Sequence, residues 1–267
     1  MAREICHIDD PLDDRIAAYR DIRERDLVGR EGLFIAEGKV VLNVLFATRR
    51  FEPRSVLVLE HRLAGLSEIL VAAPERMPVY TASQEVMDRI AGFHVHRGIL
   101  ALGRKRLPES PASLLEGLRA SALVLLLVGI SNHDNMGAIF RNAAAFNADA
   151  VLLDESCCDP LYRKSIRVSV GAVLKVPFAV GGDSEELLST LQRARFETIA
   201  LSPRGQFDIA VLERPERTAL VLGTEGAGLP DHILSATQTA RIAMSESFDS
   251  LNVATASAIA LHRLWRR

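Results

Sequence analysis

The longest uninterrupted apolar run of this 267-residue chain spans residues 122–130, and it constrains the fold most. A bilayer span needs about 20 apolar residues, so the run is too short to cross a membrane and is typical of a strand buried on both faces. Further short apolar strands are predicted at residues 151–153, 199–201, 219–222 and 241–243. Because helical segments separate them, the pattern predicts an α/β fold with a mostly parallel sheet covered on both faces.

The first part of the chain also alternates strands and helices. The predicted strands span residues 33–36, 55–59, 78–81 and 98–103. The predicted helices span residues 13–26, 39–46, 63–71 and 84–90. This alternation indicates a small α/β domain.

A charged stretch at residues 104–111 carries two prolines and marks the boundary between two predicted domains. We therefore expect a first domain over residues 1–107, a linker over 108–117 and a second domain over 118–267. The basic cluster formed by Arg104, Lys105 and Arg106 is either a solvated linker or a contact for nucleic acid.

Composition argues against a disordered protein and against a strongly basic one. With 48% hydrophobic residues the chain can bury a large core, and a net charge of -2 means that any nucleic-acid contact must come from local patches. The cysteines Cys6, Cys157 and Cys158 form no C-x-x-C pair, which favours reduced thiols and a cytoplasmic protein. No secretory or membrane pattern is present and the histidines are scattered, so we expect neither a membrane association nor a metal site.

A polar patch at residues 131–141 follows directly after the buried strand. It therefore lies at the carboxyl end of a strand, where open α/β sheets place their ligand sites. Asn135 is a candidate helix cap, and Gly137 and Arg141 are four residues apart, which puts them on one helix face. Taken alone, the patch is equally typical of a capped helix with a surface arginine.

A second patch, at residues 220–230, places three glycines within six residues at the end of a strand. Glycines let the backbone approach a ligand closely. The spacing is neither a dinucleotide fingerprint nor a P-loop. Without further support, a tight loop explains this patch equally well.

A third patch spans residues 241–256, where a strand leads through a polar loop to a helix rich in small residues. Ser250 is a candidate cap for that helix, and an ordinary capped terminal helix is the simplest interpretation.

In order and spacing, the three patches together resemble the motifs of the SpoU-type RNA ribose 2′-O-methyltransferases, within the SPOUT superfamily of knotted enzymes. The matching residues are Asn132, Asn135, Gly137 and Arg141 in the first motif, Gly223, Glu225, Gly228 and Leu229 in the second, and Ser250, Leu251, Asn252 and Val253 in the third. A further family feature is similar at Arg167, Ser169, Gly171 and Ala172. The family usually has proline where His133 and Ala243 stand.

The resemblance implies a C-terminal trefoil-knotted methyltransferase domain that binds S-adenosylmethionine, methylates ribosomal or transfer RNA, needs no metal and forms a homodimer through this domain. Less specifically, residues 34–38 resemble part of the ribosomal protein L30e-like substrate-binding domains that often precede it. The residues that the resemblance assigns to the cofactor are Leu222, Gly223, Thr224, Glu225, Gly226, Gly228, Ile242, Met244 and Leu251.

The same resemblance implies that Arg141 is the catalytic residue and that Asn135, Ser250 and Asn252 position it and the ribose. Two alternatives stay open at this point. One is a non-catalytic RNA-binding protein that keeps the knotted fold, and the other is a methyltransferase that acts on a base.

Overall fold

The computed structural model describes residues 4–20, 22, 32–106, 108–245, 247 and 249–266. It divides into two compact units. The first unit comprises Met1–Leu107 and Leu161–Lys175, and the second comprises Pro108–Pro160 and Val176–Arg267. Within the described ranges, no helix is both long enough and apolar enough to cross a membrane.

The strands and helices alternate along the chain. The strands are β1 (Ile5–His7), β2 (Leu33–Glu37), β3 (Phe51–Leu59), β4 (Val79–Ala82), β5 (Ile99–Lys105), β6 (Ala122–Leu127), β7 (Ala150–Leu153), β8 (Phe178–Val180), β9 (Glu197–Leu201), β10 (Phe207–Asp208), β11 (Arg217–Leu222) and β12 (Gln238–Arg241). The α-helices are α1 (Lys39–Ala47), α2 (Glu60–Leu63), α3 (Ser67–Val71), α4 (Gln84–Ala91), α5 (Pro111–Glu116), α6 (His133–Ala145), α7 (Arg163–Val168), α8 (Ala172–Lys175), α9 (Ser184–Arg193), α10 (Asp231–Ser235) and α11 (Val253–Leu264). Two 3₁₀ turns are found at Asp14–Tyr19 and Ala64–Leu66.

The first unit is built on a five-stranded sheet in the order β1-β4-β3-β5-β2. Strands β1, β4 and β3 run parallel, whereas β5 and β2 add antiparallel pairs. Tyr19 is fully buried beneath this sheet, and its hydroxyl pairs with Ser55 Oγ at 2.8 Å and accepts a hydrogen bond from the Leu102 N–H at 3.2 Å. Burial raises the pKa of Tyr19, so the hydroxyl stays neutral.

The second unit is built on a seven-stranded, wholly parallel sheet in the order β10-β12-β9-β11-β6-β7-β8. Helices α5, α9 and α10 pack with Val124 and Leu126 of β6 in one core cluster. Leu123 and Leu125, which alternate with them and face the opposite side, are fully buried as well. The sheet is therefore covered on both faces, which confirms the predicted α/β fold with a mostly parallel sheet.

The predicted linker over residues 108–117 contains helix α5 and is therefore not a free connection. Ser110 caps the helix through its Oγ, which accepts from the Ser113 N–H at 3.2 Å, and Pro111 occupies the first turn, where proline is favourable. Leu114 and Leu115 lie in the core of the second unit. Pro111, one of the two prolines that suggested a break, is instead part of a helix start.

Residues 161–175, predicted as part of the second domain, pack within the first unit. Arg163 Nη1 donates to Glu37 Oε2 at 2.7 Å, and the guanidinium lies 4.5 Å from the centre of the Phe93 ring. Gly171 lies against Val44, from which an added Cβ would be 3.4 Å away. The Arg163–Glu37 contact joins residues 126 positions apart, so local sequence patterns carry no signal of it.

Several local expectations also differ from the structure. The helix predicted over residues 13–26 is a 3₁₀ turn at Asp14–Tyr19 with non-helical geometry at Ile16, and residues 21 and 23–26 lie outside the described residues. Strand β12 covers Gln238–Arg241 rather than residues 241–243. Strands β1, β8 and β10 were not predicted because two or three residues are too few to show a periodic pattern.

Replacing Gly103 by Ala should destabilise the first unit. The added Cβ would lie 2.3 Å from Cζ of Phe34, which is fully buried and packs edge-on against Phe51 at a centroid distance of 5.1 Å. Because the ring has no free space, we expect the free energy of unfolding to fall by about 1–3 kcal/mol. Denaturant unfolding of both proteins measures the change.

The matched control is Gly65→Ala, because a Cβ at Gly65 meets no atom within 4 Å. We expect this variant to unfold at the wild-type denaturant concentration or slightly above it. Equal stabilities of the two variants would contradict the packing of Phe34 against Gly103.

Candidate functional site

Three loops at the carboxyl edge of the second sheet line one cavity of about 630 Å³. The Ser-Pro-Arg-Gly turn (residues 202–205) follows β9, the glycine loop (residues 223–229) follows β11, and the terminal loop (residues 242–252) joins β12 to α11. Parallel strands end at the same edge of a sheet, so loops far apart in sequence meet there. The volume is typical of a site for a small ligand.

The wall contributed by the glycine loop consists largely of backbone. An added Cβ at Gly223 would lie 2.7 Å from the carbonyl carbon of Gly228 and 2.7 Å from the nitrogen of Leu229. Gly226 and Gly228 have φ values of 84° and 72°, which side chains other than glycine rarely adopt. The loop closes through a hydrogen bond from the Gly228 N–H to the Thr224 carbonyl at 3.2 Å.

Asn252 connects all three motifs. Its Nδ2 donates to Asn135 Oδ1 at 3.0 Å and to Glu225 Oε1 at 2.6 Å. Its Oδ1 caps α11 by accepting from the N–H groups of Ala254 at 2.9 Å and Thr255 at 3.3 Å. One side chain therefore starts the last helix and holds the first and second motifs together.

Two predicted helix caps are wrong in this region. Asn132, not Asn135, caps α6 by accepting from the N–H groups of Asp134 and Asn135. Asn135 is buried in the first turn, where its side chain is available for Asn252. Likewise Asn252, not Ser250, caps α11. In both cases another residue within three positions competes for the same backbone N–H groups, which propensity does not resolve.

Helices α6 and α11 pack against each other along the face that carries Asn135. Seven residues further along α6, Asn142 Nδ2 donates to the Ala254 carbonyl at 2.8 Å and to Ser257 Oγ at 2.9 Å. Ser257 is fully buried, and Phe146 contacts His262 edge-on with 5.7 Å between ring centres. The small residues of α11 thus allow the approach of α6, which fixes the position of Asn135.

Arg141 lies elsewhere on α6 and is exposed. It follows Asn135 by six residues, a rise of about 9 Å along the helix axis. Within the described part of the chain its guanidinium makes no hydrogen bond or ion pair, and it does not line the cavity. The structure therefore brings Asn135, Glu225 and Asn252 into contact and leaves Arg141 outside the cavity wall, where its guanidinium has no partner among the described residues.

Every residue predicted to hold the cofactor lines the cavity, and so do the predicted positioning residues Ser250 and Asn252. Sequence reasoning missed Ser202, Pro203, Arg204 and Asp249, which also line it. The sequence could have indicated Ser202, Pro203 and Arg204, because they directly follow the apolar strand β9, which neighbours β11 in the sheet.

Two further groups near the sheet edge carry no reactive chemistry. Cys157 Sγ donates to the Leu127 carbonyl at 3.4 Å and accepts from the Ile130 N–H at 3.3 Å, and burial raises its pKa. Burial also raises the pKa of Cys158 to about 11, so both thiols are neutral at ordinary pH. Among the described residues, no group of three or more His, Cys, Asp and Glu side chains could hold a metal ion.

Residues 122–262 match the model of the SpoU rRNA Methylase family. An uncharacterized tRNA/rRNA methyltransferase of Mycobacterium bovis is 41% identical over 99% of this chain and 92% of its own length. Two solved structures are similar over nearly the whole chain. An AdoMet-bound rRNA methyltransferase from Sinorhizobium meliloti has a TM-score of 0.82 at 20% identity, with 97% of each chain covered. An RNA 2′-O ribose methyltransferase has a TM-score of 0.78 at 25% identity, with 98% of each chain covered.

Replacing Asn252 by Asp should separate its two roles. Aspartate caps a helix as well as asparagine does, but it donates no hydrogen bond and places a second carboxylate beside Glu225. We expect the free energy of unfolding to fall by about 1–3 kcal/mol near neutral pH. Repulsion makes the folded variant bind a proton more tightly than its unfolded form, so part of the deficit disappears by about pH 4. Denaturant unfolding at both pH values measures this.

The control is Asn252→Ala, which removes both the cap and the bridge but adds no charge. Its deficit relative to the wild type should persist at acidic pH. If the deficit of Asn252→Asp were the same at both pH values, the contact between residue 252 and Glu225 would be refuted.

Proposed function

The chain belongs to the SpoU rRNA Methylase family of RNA methyltransferases, and we propose that it transfers a methyl group from S-adenosylmethionine to a ribose 2′-hydroxyl of ribosomal or transfer RNA. The main support for this proposal is the pair of hydrogen bonds by which the Asn252 amide holds Asn135 and Glu225 at the edge of the cavity. The three motifs that resembled this family are thus one structural site. The similar RNA 2′-O ribose methyltransferase supports ribose as the acceptor.

The residues that line the cavity fit S-adenosylmethionine. Leu222, Ile242 and Leu251 offer apolar surface to an adenine ring, and the glycine loop offers backbone donors and acceptors for its edge. The cavity of about 630 Å³ is of the size that encloses a ligand of this kind. When bound, the cofactor supplies an electrophilic methyl group carried on a sulfonium.

Arg141 would act on the RNA rather than on the cofactor. A ribose hydroxyl is a weak nucleophile until its proton is removed or strongly polarised. A guanidinium is effectively always protonated, so it serves poorly as a base. It can instead orient a neighbouring phosphate and stabilise the negative charge that grows on the 2′-oxygen. Its exposure and lack of a partner within the described residues leave it available for that contact.

Asn135, Ser250 and Asn252 would position the ribose. Asn252 is fixed through both ends of its amide, and Asn135 is held by its burial and by the packing of α6 on α11. Such side chains keep their geometry when a substrate arrives, and preorganised polar groups contribute more to catalysis than mobile ones do.

The proposal extends to the architecture around the site. We infer a trefoil knot in the second unit, a homodimer formed through that unit, and an L30e-like, RNA-binding role for the first unit. The knot, the homodimer and the RNA-binding role rest on the resemblance of the three motifs and of residues 34–38 to the family. The similarity in fold to the Sinorhizobium meliloti enzyme over 97% of the chain supports the shared architecture.

The decisive experiment maps ribose methylation in total RNA from cells with and without this gene. A 2′-O-methyl group protects the adjacent phosphodiester from alkaline cleavage, whereas a methylated base does not. A single protected position that disappears with the gene, and returns with the wild-type copy, supports the proposal and identifies the RNA. Loss of a base methylation instead would replace ribose by base as the acceptor, and no change in RNA would favour a non-catalytic binder.

Replacing Arg141 by Ala should abolish methyl transfer while leaving cofactor binding intact. The guanidinium lies outside the cavity wall, so its loss removes stabilisation of the transition state and not of the cofactor. We expect the transfer rate to fall at least 100-fold, about the loss that follows removal of one stabilising donor. Arg193→Ala, at another exposed arginine of the second unit, should retain wild-type activity. Full activity of Arg141→Ala would remove the catalytic assignment.

Replacing Gly223 by Ala should weaken cofactor binding, which Arg141→Ala is expected to leave intact. The new methyl group would lie 2.7 Å from the backbone of Gly228 and Leu229, so the glycine loop must open. We expect the affinity for S-adenosylmethionine, measured by calorimetry, to fall at least tenfold, a change of about 1.4 kcal/mol. Gly117→Ala is the matched control, since its nearest neighbour would be 3.7 Å away. Equal affinity of the two variants would show that the loop does not form the binding wall.

A further inference from the structure

One charged side chain on the cavity wall has no role in the mechanism above. Among the described residues that line the cavity, Arg204 is the single basic one, and the acidic ones are Glu225 and Asp249. Glu225 already accepts a hydrogen bond from Asn252 at 2.6 Å. Across the described ranges, the guanidinium of Arg204 makes no hydrogen bond or ion pair, and the side chain is exposed. Arg204 therefore adds a positive charge to the cavity wall, and that charge has no partner among the described residues.

The backbone beneath Arg204 is firmly held. The Ser202 N–H donates to the Ala240 carbonyl at 2.9 Å, and the Gly205 N–H closes the turn onto the Ser202 carbonyl at 3.0 Å. Arg241 Nη1 donates to the Gly205 carbonyl at 2.9 Å. An added Cβ at Gly205 would lie 2.2 Å from the carbonyl carbon of Ala240, so only glycine allows this close approach. The turn thus presents Arg204 from a fixed base.

The charges of the cofactor decide what this cation can contact. S-adenosylmethionine carries a sulfonium, an ammonium and a carboxylate. A guanidinium repels the first two and attracts the third, so the carboxylate is the one group of the cofactor beside which Arg204 is favourable. Arginine also matches a carboxylate in geometry, since two parallel N–H groups can donate to its two oxygens.

We propose that Arg204 binds the carboxylate of the methionine part of S-adenosylmethionine and thereby contributes to the choice of this cofactor. The inference rests on the proposed function, because it presupposes that the cavity holds S-adenosylmethionine. It assigns Arg204 to binding and not to the methyl transfer step, which is left to Arg141. It also gives a role to a guanidinium that makes no hydrogen bond or ion pair with the described residues, although the turn that carries it is held by backbone hydrogen bonds.

The test compares two ligands by calorimetry on the full-length protein. S-adenosylhomocysteine carries the amino acid part with its carboxylate, whereas 5′-methylthioadenosine lacks that part. Arg204→Ala should weaken the binding of S-adenosylhomocysteine about tenfold, the scale of one charge-assisted contact, and leave the binding of 5′-methylthioadenosine unchanged. Arg204→Lys, which keeps the charge but not the paired donors, should lose less. Arg193→Ala should bind both ligands as the wild type does.

Ionic strength provides a second readout. The preference of the wild type for S-adenosylhomocysteine over 5′-methylthioadenosine should shrink as salt is raised, because the contact lies at an exposed side chain. In Arg204→Ala the ratio of the two affinities should depend less on salt.

The outcomes distinguish a failure of the Arg204 assignment from a failure of the proposed function. If the wild-type protein bound neither ligand, the cofactor of the proposed function would be wrong. If the wild type bound both and Arg204→Ala weakened both equally, or neither, the carboxylate assignment would be overturned. Unchanged binding of both ligands together with weaker RNA binding would assign Arg204 to an RNA phosphate instead.

Discussion

The site depends on one pair of hydrogen bonds, those from the Asn252 amide to Asn135 and Glu225. They join residues 117 and 27 positions apart, so the contact exists only when the parallel sheet has brought its strand ends to one edge. Because the other end of the same side chain caps α11, a shift of the last helix would also move the first two motifs. Folding of the C-terminal helix and assembly of the site are therefore one event.

Close packing of backbone segments shapes the walls of the cavity. Gly223 lets the glycine loop fold onto itself, and Gly205 lets the Ser-Pro-Arg-Gly turn lie against β12. Neither glycine needs a positive φ, so their role is space rather than backbone freedom. A wall made of backbone has fixed donors and acceptors, and it suits a ligand whose adenine edge must be matched without mobile side chains. Because the backbone supplies the donors and acceptors, the cavity wall needs few charged side chains.

The sequence predicted the parallel α/β sheet and the cavity-lining residues well, because continuous apolar strands and clustered glycines are local signals. Predictions from the sequence were wrong where a contact that shapes the fold joins residues far apart in the chain. They were also wrong where two nearby residues compete for the same role. The contact of Arg163 with Glu37 spans 126 positions, and Asn132 and Asn135 are chemically equal candidates for one cap. Pro111 suggested a break and instead starts a helix, since proline is unfavourable inside a helix but favourable at its start.

In the proposed roles, the two arginines of the site region contact different anions. A transferable methyl group is bound to a cation, so any further positive charge close to the sulfonium would weaken cofactor binding. Arg141 lies on the helix that follows β6 and does not line the cavity, whereas Arg204 lines the cavity from the turn that follows β9. Each guanidinium then needs an anion of its own. In the proposed function the RNA phosphate and the cofactor carboxylate would be these anions, so a chain with a net charge of -2 would bind both through local charges alone.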